Sequence, residues 1–457
     1  MQKLTKITAS IGPASTDYEI LKSMVSSGVN VCRLNFSHDT GAVQGAKFDK
    51  IRILSKELGR PIAIIADLQG PKHRIGDFET EDHYPIEPGQ TFILDNDPKP
   101  GNSARVQLPD EDVLKSLKVG DRVLLNDGKI ELEVSQIANH ESRITVSTRV
   151  ARGNEIWSRR GFNLPDTEVD TSVLTEKDRA DLEYALTKEP DFIAISFVQK
   201  PEDVMEVRDF ITARTTAPVK VIVKIERPQA VVRAEEIIDA ADAVMVARGD
   251  LAVEMPFEQI PAVQRRLIRL CRKKNRPIIV ATQMLGSMVH EEFPLRAEIS
   301  DVATAAYLRA DSTMTSEETA IGDYPEMVVE TMAKILGAAD ADSIENSYDW
   351  GRVDNVLEND WSRSVASMAY LNKASSIVVF DRDGNATREI SCRRPDMPII
   401  AVCNSEIVAN QLCLSRGVQS IFDERMFGQR DIGAALAAVG ISGGKTVTVD
   451  EDSIMLN

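Results

Sequence analysis

Eight short apolar runs punctuate this sequence, and most of them end where polar or charged residues cluster. VNVCRLNFS (29–37), VIVKIE (221–226) and AVMVARGD (243–250) are the richest. A strand has no structural need to finish in Arg, Lys, Glu or Asp time after time. In a (β/α)8 barrel it has a chemical one, because the active site forms at the carboxyl ends of the parallel strands.

The order of the runs fits that reading. KITASIG (6–12) leads to a helical DYEILKSMVSSG, and VNVCRLNF follows. A second helical stretch, AVQGAKFDKIRILSKELG, precedes PIAIIADLQG (61–70), with Gly59 and Pro61 marking the junction. The helical period then vanishes. TFILD, RVLLND, KIELEV and RITVSTRV are β-rich and separated by Pro, Gly, Asn and Asp turns, which predicts an inserted all-β domain. Strand–helix alternation resumes with FIAISFV, VIVKIE, AVMVARGD, PIIVATQ and DSTMTSE, interleaved with helical PEDVMEVRDFITAR, AVVRAEEIIDAA, IPAVQRRLIRLCRKKN and LRAEISDVATAAYLR. Three strands before the insert and five after it make the eight of a TIM barrel, with a doubly wound open sheet as the structural alternative. A helix around 361–372 and the runs SSIVVF, MPIIAV, VQSIF and KTVTV form a last unit, with QLCLSRG and IGAALAAVG between them. The predicted division is barrel over 1–70, β-rich insert over 71–166, barrel again over 167–342, and an α/β domain over 343–457.

The bulk numbers exclude several classes. A length of 457 residues exceeds one domain, and 43% hydrophobic with 27% charged residues suits a globular protein with a large core. The net charge of −17 argues against a nucleic-acid or anionic-membrane surface, though a few local Arg and Lys can still grip a small anion. Five cysteines without a CxxC pair, mostly in apolar runs, predict reduced core residues and a cytoplasmic protein. MQKLTKITASIGP shows no apolar signal region, and no run approaches the ~18 apolar residues of a membrane span.

Side chains on a strand alternate, so Arg33, Asn35 and Ser37 are expected on one face, as are Lys224 and Glu226. An Arg, a Lys, carboxylates and small amide and hydroxyl ligands at one barrel mouth describe a site for phosphate plus a cation. Arg grips phosphate through its planar fork. Glu226 and Asp250 could share Mg2+, a hard ion that takes oxygen ligands. Backbone N–H groups around Gly249 could hold a carboxylate if that turn opens a helix. Each feature also has a bland reading: a Lys–x–Glu ion pair, an Asn–Phe–Ser turn, a capped ARGD loop. Their joint placement at strand ends favours chemistry. GGKT (443–446) is not a phosphate loop, because Val439 breaks the required spacing and a strand follows where a helix is needed.

TKITASIGPAS, VNVCRLNFSHDT, ADLQGPKHRIG, VKIERPQA, VMVARGDLAVE, ATQMLGSM, RAEISDVATA and SEETAIGDYP resemble, in order, the signature blocks of the pyruvate kinase family. The β-rich insert resembles that family's lid, and the last unit its carboxyl-terminal domain. The resemblance implies phosphoryl transfer from phosphoenolpyruvate to ADP, giving pyruvate and ATP in glycolysis. It implies that Lys224 neutralises the transferring group, that Arg33 binds phosphate between the substrates, and that Thr282 lines the phosphoenolpyruvate pocket. Glu226 and Asp250 would hold Mg2+ or Mn2+, and Asn35, Ser37 and Asp67 match a monovalent-cation site. Arg74 and Arg160, the latter where the family usually has Lys, would approach the nucleotide phosphates. His38, Asn35, Gly249 and Asp250 would also lie on the nucleotide or cofactor side. A homotetramer with no nucleic-acid or membrane partner is implied. Such residues suit a reaction governed by positioning and charge neutralisation, and Thr282 is a candidate relay for the final protonation of the enolate.

The chain departs from the family at several positions. Leu68 stands where Thr would give an oxygen to K+, and Lys72 stands where Glu is usual. Lys72 carries the charge of the missing ion, so K+ is expected not to be required. Its alternative is a lysine pointing to solvent at the hinge. Gly286 replaces a usual Glu and Glu317 a usual Gly. In FDRDGNATREIS, Asp381 and Asp383 replace the hydroxyl residues that in many relatives bind a sugar-phosphate effector, and two carboxylates repel phosphate. The segment after KTVTV is expected to lack the usual final strand. Two alternatives remain: a Mg2+-dependent lyase or aldolase on a phosphoenolpyruvate/pyruvate barrel, which has no use for a nucleotide-gripping lid, and a catalytically weak metabolite-binding paralogue.

Overall fold

In the computed structural model, eight parallel strands close into a barrel. The structure describes residues 3–79, 83–140, 143–169, 171–345, 360–450 and 453–457. The stretch 346–359, at the start of the expected carboxyl-terminal unit, lies outside them. The barrel strands are Lys6–Ser10, Val31–Asn35, Ala63–Asp67, Phe192–Ile195, Lys220–Ile225, Ala243–Ala247, Ile278–Ala281 and Ser312–Thr315. The first pairs with both the second and the last, which completes the ring, and the third pairs directly with the fourth across the insertion.

Strand alternation separates two cores. Val31, Ile65, Phe192, Ile222, Met245, Ile279 and Met314 point inward and pack together, while Cys32, Ile64, Ile193, Val223 and Val244 face the surrounding helices. Burial of each such Ile or Val is worth roughly 1.5–3 kcal/mol. The inward parity matters beyond the core. One step further along the same strands it brings Arg33 after Val31, Asp67 after Ile65 and Lys224 after Ile222 to the barrel mouth.

The insert folds on its own core of Phe92, Leu94, Val106, Leu132 and Val146. It holds a six-stranded sheet and a two-stranded one. It is not all-β: Glu111–Ser116 is a short helix, and its N-cap Asp110 accepts from the N–H groups of Asp112 and Val113. AVVRAEEIIDAA is likewise not one helix, since Pro228–Val232 and Ala234–Ala240 meet at Arg233. The helix Glu406–Leu412 ends within QLCLSRG.

The carboxyl-terminal domain is a five-stranded sheet in the spatial order Val418–Phe422, Ile399–Cys403, Ser376–Phe380, Thr446–Asp450, Ser453–Leu456. The last strand runs antiparallel to its neighbour, so the expected absence of a final strand is corrected. Asn457 exchanges both backbone hydrogen bonds with Thr446, which carries the pairing to the final residue. This domain closes the barrel floor. Cys413 and Leu414 join the inward-facing core. Arg394 pairs with Asp311 at 2.6 Å, and Arg416 pairs with Asp340 at 2.7 Å, all four side chains buried. No helix among the described residues is long and apolar enough to cross a membrane.

Candidate active site

The open mouth gathers the charged residues that the strand ends predicted. Asp67, at the end of the third strand, is fully buried between two cations. Its Oδ2 accepts from Arg33 Nε at 2.6 Å, and its Oδ1 lies 3.7 Å from Lys224 Nζ. Arg33 also donates from Nη1 to Ser10 Oγ at 2.9 Å. Lys224 donates to Ser196 Oγ at 2.7 Å and stands 3.4 Å from Glu226 Oε2. Ser196 in turn donates to the Leu68 carbonyl at 2.8 Å. The Lys224 ammonium is thereby fixed by a hydroxyl below it and carboxylates on two sides.

Electrostatics follow from that packing. Burial alone would lower Lys224, but Asp67, Glu226 and Asp250 outweigh it and hold the ammonium above the usual lysine value. Glu226 is pushed up to about 7, by burial first and by Asp250 and Asp67, against the pull of Lys224 and of the Phe197 N–H. That N–H reaches Glu226 Oε1 at 2.7 Å, from a residue held at φ 59°. Non-glycine residues in the left-handed region concentrate where a site needs a particular side-chain direction. Thr282 and Gln283 are held likewise, at φ 70° and 53°. The Thr282 hydroxyl accepts from Gly249 N at 2.8 Å and donates to the Ala281 carbonyl at 2.6 Å.

The site offers a hard cation what it takes. Glu226 Oε2 and Asp67 Oδ1 are buried carboxylate oxygens without a hydrogen-bond partner. Among the described residues no group of three or more His, Cys, Asp or Glu side chains is placed to hold a metal ion by itself. A cation held by Glu226 and Asp250 would therefore take its remaining ligands from water and substrate oxygens, as Mg2+ commonly does.

Other predicted residues are placed as follows. Asn35 pairs in register with Asp67, and its Oδ1 accepts from Ser37 N at 3.1 Å. Ser37 is not on the strand, which ends at Asn35; it lies in the following turn beside exposed His38. The ARGD turn does open a helix, Arg248–Glu254, though the Gly249 N–H expected to bind a carboxylate is spent on Thr282. Arg74 and Arg160 are both exposed at the lid hinge: Arg74 pairs with Gly161 across a β-bridge, and Arg160 lies 5.8 Å over the Trp157 ring. Lys72 is exposed and lines the cleft between lid and barrel together with Asp250, Glu254 and Arg227. The Leu68 side chain is buried in the outer core and turns only its carbonyl to the site. Glu317 begins a short helix, and beside it buried Glu318 accepts from Leu285 N and Ser316 N. Near Gly286 it is Glu298 that binds the Ser287 N–H at 2.7 Å.

Sequence reasoning passed over Ser10, Ser196 and Arg248. Arg248 clamps Asp301 through Nη1 at 2.7 Å and the Thr282 carbonyl through Nη2 at 2.6 Å, which fixes the turn carrying Thr282. The only local signal was its place at a strand end.

Comparison with known proteins adds a second line. The model of the pyruvate kinase barrel domain matches residues 2–329, and that of the pyruvate kinase alpha/beta domain matches 359–449. The chain is 41% identical to a pyruvate kinase of Methylorubrum extorquens over 91% of its own length and 86% of that protein's. It is 39% identical to one from Agrobacterium vitis, covering 91% and 87% of the two chains. The crystal structure of a pyruvate kinase from Cryptosporidium parvum superposes with a TM-score of 0.91 at 30% identity, covering 100% of this chain and 96% of that one.

Proposed function

The chain belongs to the pyruvate kinase family of phosphotransferases, and on that premise we propose that its barrel mouth makes pyruvate and ATP from phosphoenolpyruvate and ADP, as in glycolysis, without needing K+. The observation that carries the chemistry is the Lys224 ammonium, 3.7 Å from Asp67 and 3.4 Å from Glu226, with the Arg33 fork hung from the same aspartate.

Phosphoryl transfer proceeds through a loose transition state whose charge spreads over the equatorial oxygens, so preorganised cations do most of the catalysis. Arg33 has its Nε and Nη1 committed to Asp67 and Ser10, which leaves Nη2 for a phosphate. Lys224 stays charged and needs no reorganisation as negative charge moves toward it. A divalent cation on Glu226 and Asp250, when bound, neutralises charge on the phosphoryl group and the leaving enolate. Arg74 and Arg160 meet the nucleotide phosphates from the hinge, and Thr282 borders the enolate side.

Two features support K+ independence. Position 68 has no side-chain oxygen to offer, and its Leu is buried away from the site. Lys72 supplies a positive charge on the cleft wall. A coupled pyruvate assay in tetramethylammonium buffer, with K+ and then Mg2+ omitted, tests the reading. Activity should survive loss of K+ and fail without the divalent ion; a large K+ stimulation refutes the Lys72 assignment. The family reading extends to a cytoplasmic homotetramer. What supports assembly is the exposure of Phe257, Phe293 and Leu295 on the barrel and of Tyr370 and Leu371 on the carboxyl-terminal domain.

A further inference from the structure

The two residues assigned to the divalent cation each have a near neighbour in a second, buried network that reaches the lid. Arg227 directly follows Glu226. It is 6% exposed, and its Nη2 donates to the carbonyls of Leu164 at 3.1 Å and Thr167 at 3.3 Å, in the segment that returns from the lid. Glu254 lies one helical turn after Asp250 on Arg248–Glu254. It is 4% exposed, and its Oε1 accepts from Asn163 Nδ2 on the last lid strand at 2.9 Å. Gln229 adds a bond to the Pro165 carbonyl at 3.2 Å.

Arg227 and Glu254 face each other across 3.5 Å, from Nε to Oε2. Neither of those two atoms has a hydrogen-bond partner, although both are buried. Buried charged groups seldom stay that way, because an unmade bond costs far more inside a protein than in water. The gap exceeds a normal charge-assisted hydrogen bond by several tenths of an ångström. The pair is poised to close by a small shift of either element.

The geometry points to Arg227 and Glu254 as positioning residues that couple the cation site to the lid. Glu226 and Asp250 would have to share one centre to hold the cation. Because each would carry its neighbour with it, the Arg227–Glu254 gap would close, and the hinge segment of the lid would be held through Asn163, Leu164 and Thr167. The inference rests on the assignment of Glu226 and Asp250 as the divalent-cation ligands. It accounts for why the cleft wall that faces the nucleotide is built from the same residues: Asn163, Arg227 and Glu254 line it together with Asp250.

Hydrogen–deuterium exchange of the full chain tests this, read on the peptide covering 159–169 with and without Mg2+. In the parent, Mg2+ should slow exchange there by about tenfold. Glu254→Gln keeps the shape but removes the charge, and should lose that protection while binding Mn2+, followed by electron paramagnetic resonance, within about threefold of the parent. Its KM for ADP should rise about tenfold with KM for phosphoenolpyruvate unchanged, a split that general loosening of the fold does not produce. Asn163→Ala, which cuts only the lid side, should act the same way and serves if Glu254→Gln folds poorly. Protection by Mg2+ that is absent in the parent, or that persists in both variants, overturns the coupling alone. Undiminished Mn2+ binding by Glu226→Gln overturns the ligand assignment, and the coupling with it.

Discussion

Single residues in this protein are governed by where the fold places them. Asp191 sits fully buried beneath the fourth barrel strand, accepting from Arg52 at 2.9 Å and from the Ile64 N–H at 2.7 Å. Burial nevertheless dominates over Arg52 and lifts its pKa to about 6. An acid with a raised folded-state pKa favours the native state while it is protonated. Its contribution is complete below the unfolded value near 4 and is lost as pH rises through 6. Asp191→Asn cannot ionise, so its melting temperature relative to the parent should improve by about 2–4 °C between pH 4.5 and pH 7. A gap that stays constant over that range contradicts the assignment. Residues of this kind are hard to read in advance. Lys224, Glu226 and Asp250 stood out because charge at the end of an apolar run is conspicuous. Ser196, Ser10 and Asn163 did not, because a serine or asparagine looks the same in a loop as it does 2.7 Å from the Lys224 ammonium.

At the scale of elements, the eight barrel strands were legible because runs buried on both faces are continuously apolar. Several helices escaped notice, two of the longer ones for different reasons. Glu176–Leu186 reads EKDRADLEYAL, with too few apolar residues to show a clear stripe, and its start depends on Thr175 and Asp178 capping each other. Pro325–Glu345 packs against the helices Arg296–Tyr307 and Tyr18–Ser27, the second far away in sequence. The loop before the helix Asn385–Cys392 shows an element tuned by two side chains. Asp381 turns its carboxylate into the start of that helix, accepting from Gly384 N at 2.9 Å and Thr387 N at 2.7 Å. The amides that a phosphate would use are therefore satisfied internally, beside a second carboxylate at Asp383. Fructose 1,6-bisphosphate should leave the half-saturation for phosphoenolpyruvate within about 1.5-fold, a shift of under ~0.3 kcal/mol. A several-fold fall measured in a titration of that compound refutes the reading of this loop.

The whole molecule is needed to make the site. Arg33 and Asp67 precede the inserted lid, whereas Lys224, Glu226 and Asp250 follow it, and only closure of the barrel through the pairing of the third and fourth strands brings them together. The carboxyl-terminal domain closes the opposite end with Leu414 in the barrel core and with the buried Arg394–Asp311 and Arg416–Asp340 pairs. Removing one partner from such a pair costs about 3–5 kcal/mol. The fold was expected from strand order alone. So was the convergence, because every strand of a closed parallel barrel ends at one mouth; which side chains touch there was not, since spacing along the chain says nothing about contacts across it. The most direct measurement is the steady-state rate of pyruvate formation by Lys224→Met, with saturating Mg2+, phosphoenolpyruvate and ADP. Loss of the central ammonium should lower kcat by about 10²–10³ in protein that circular dichroism shows to be folded at the assay temperature. A kcat within a few-fold of the parent's would mean that the phosphoryl group is neutralised elsewhere.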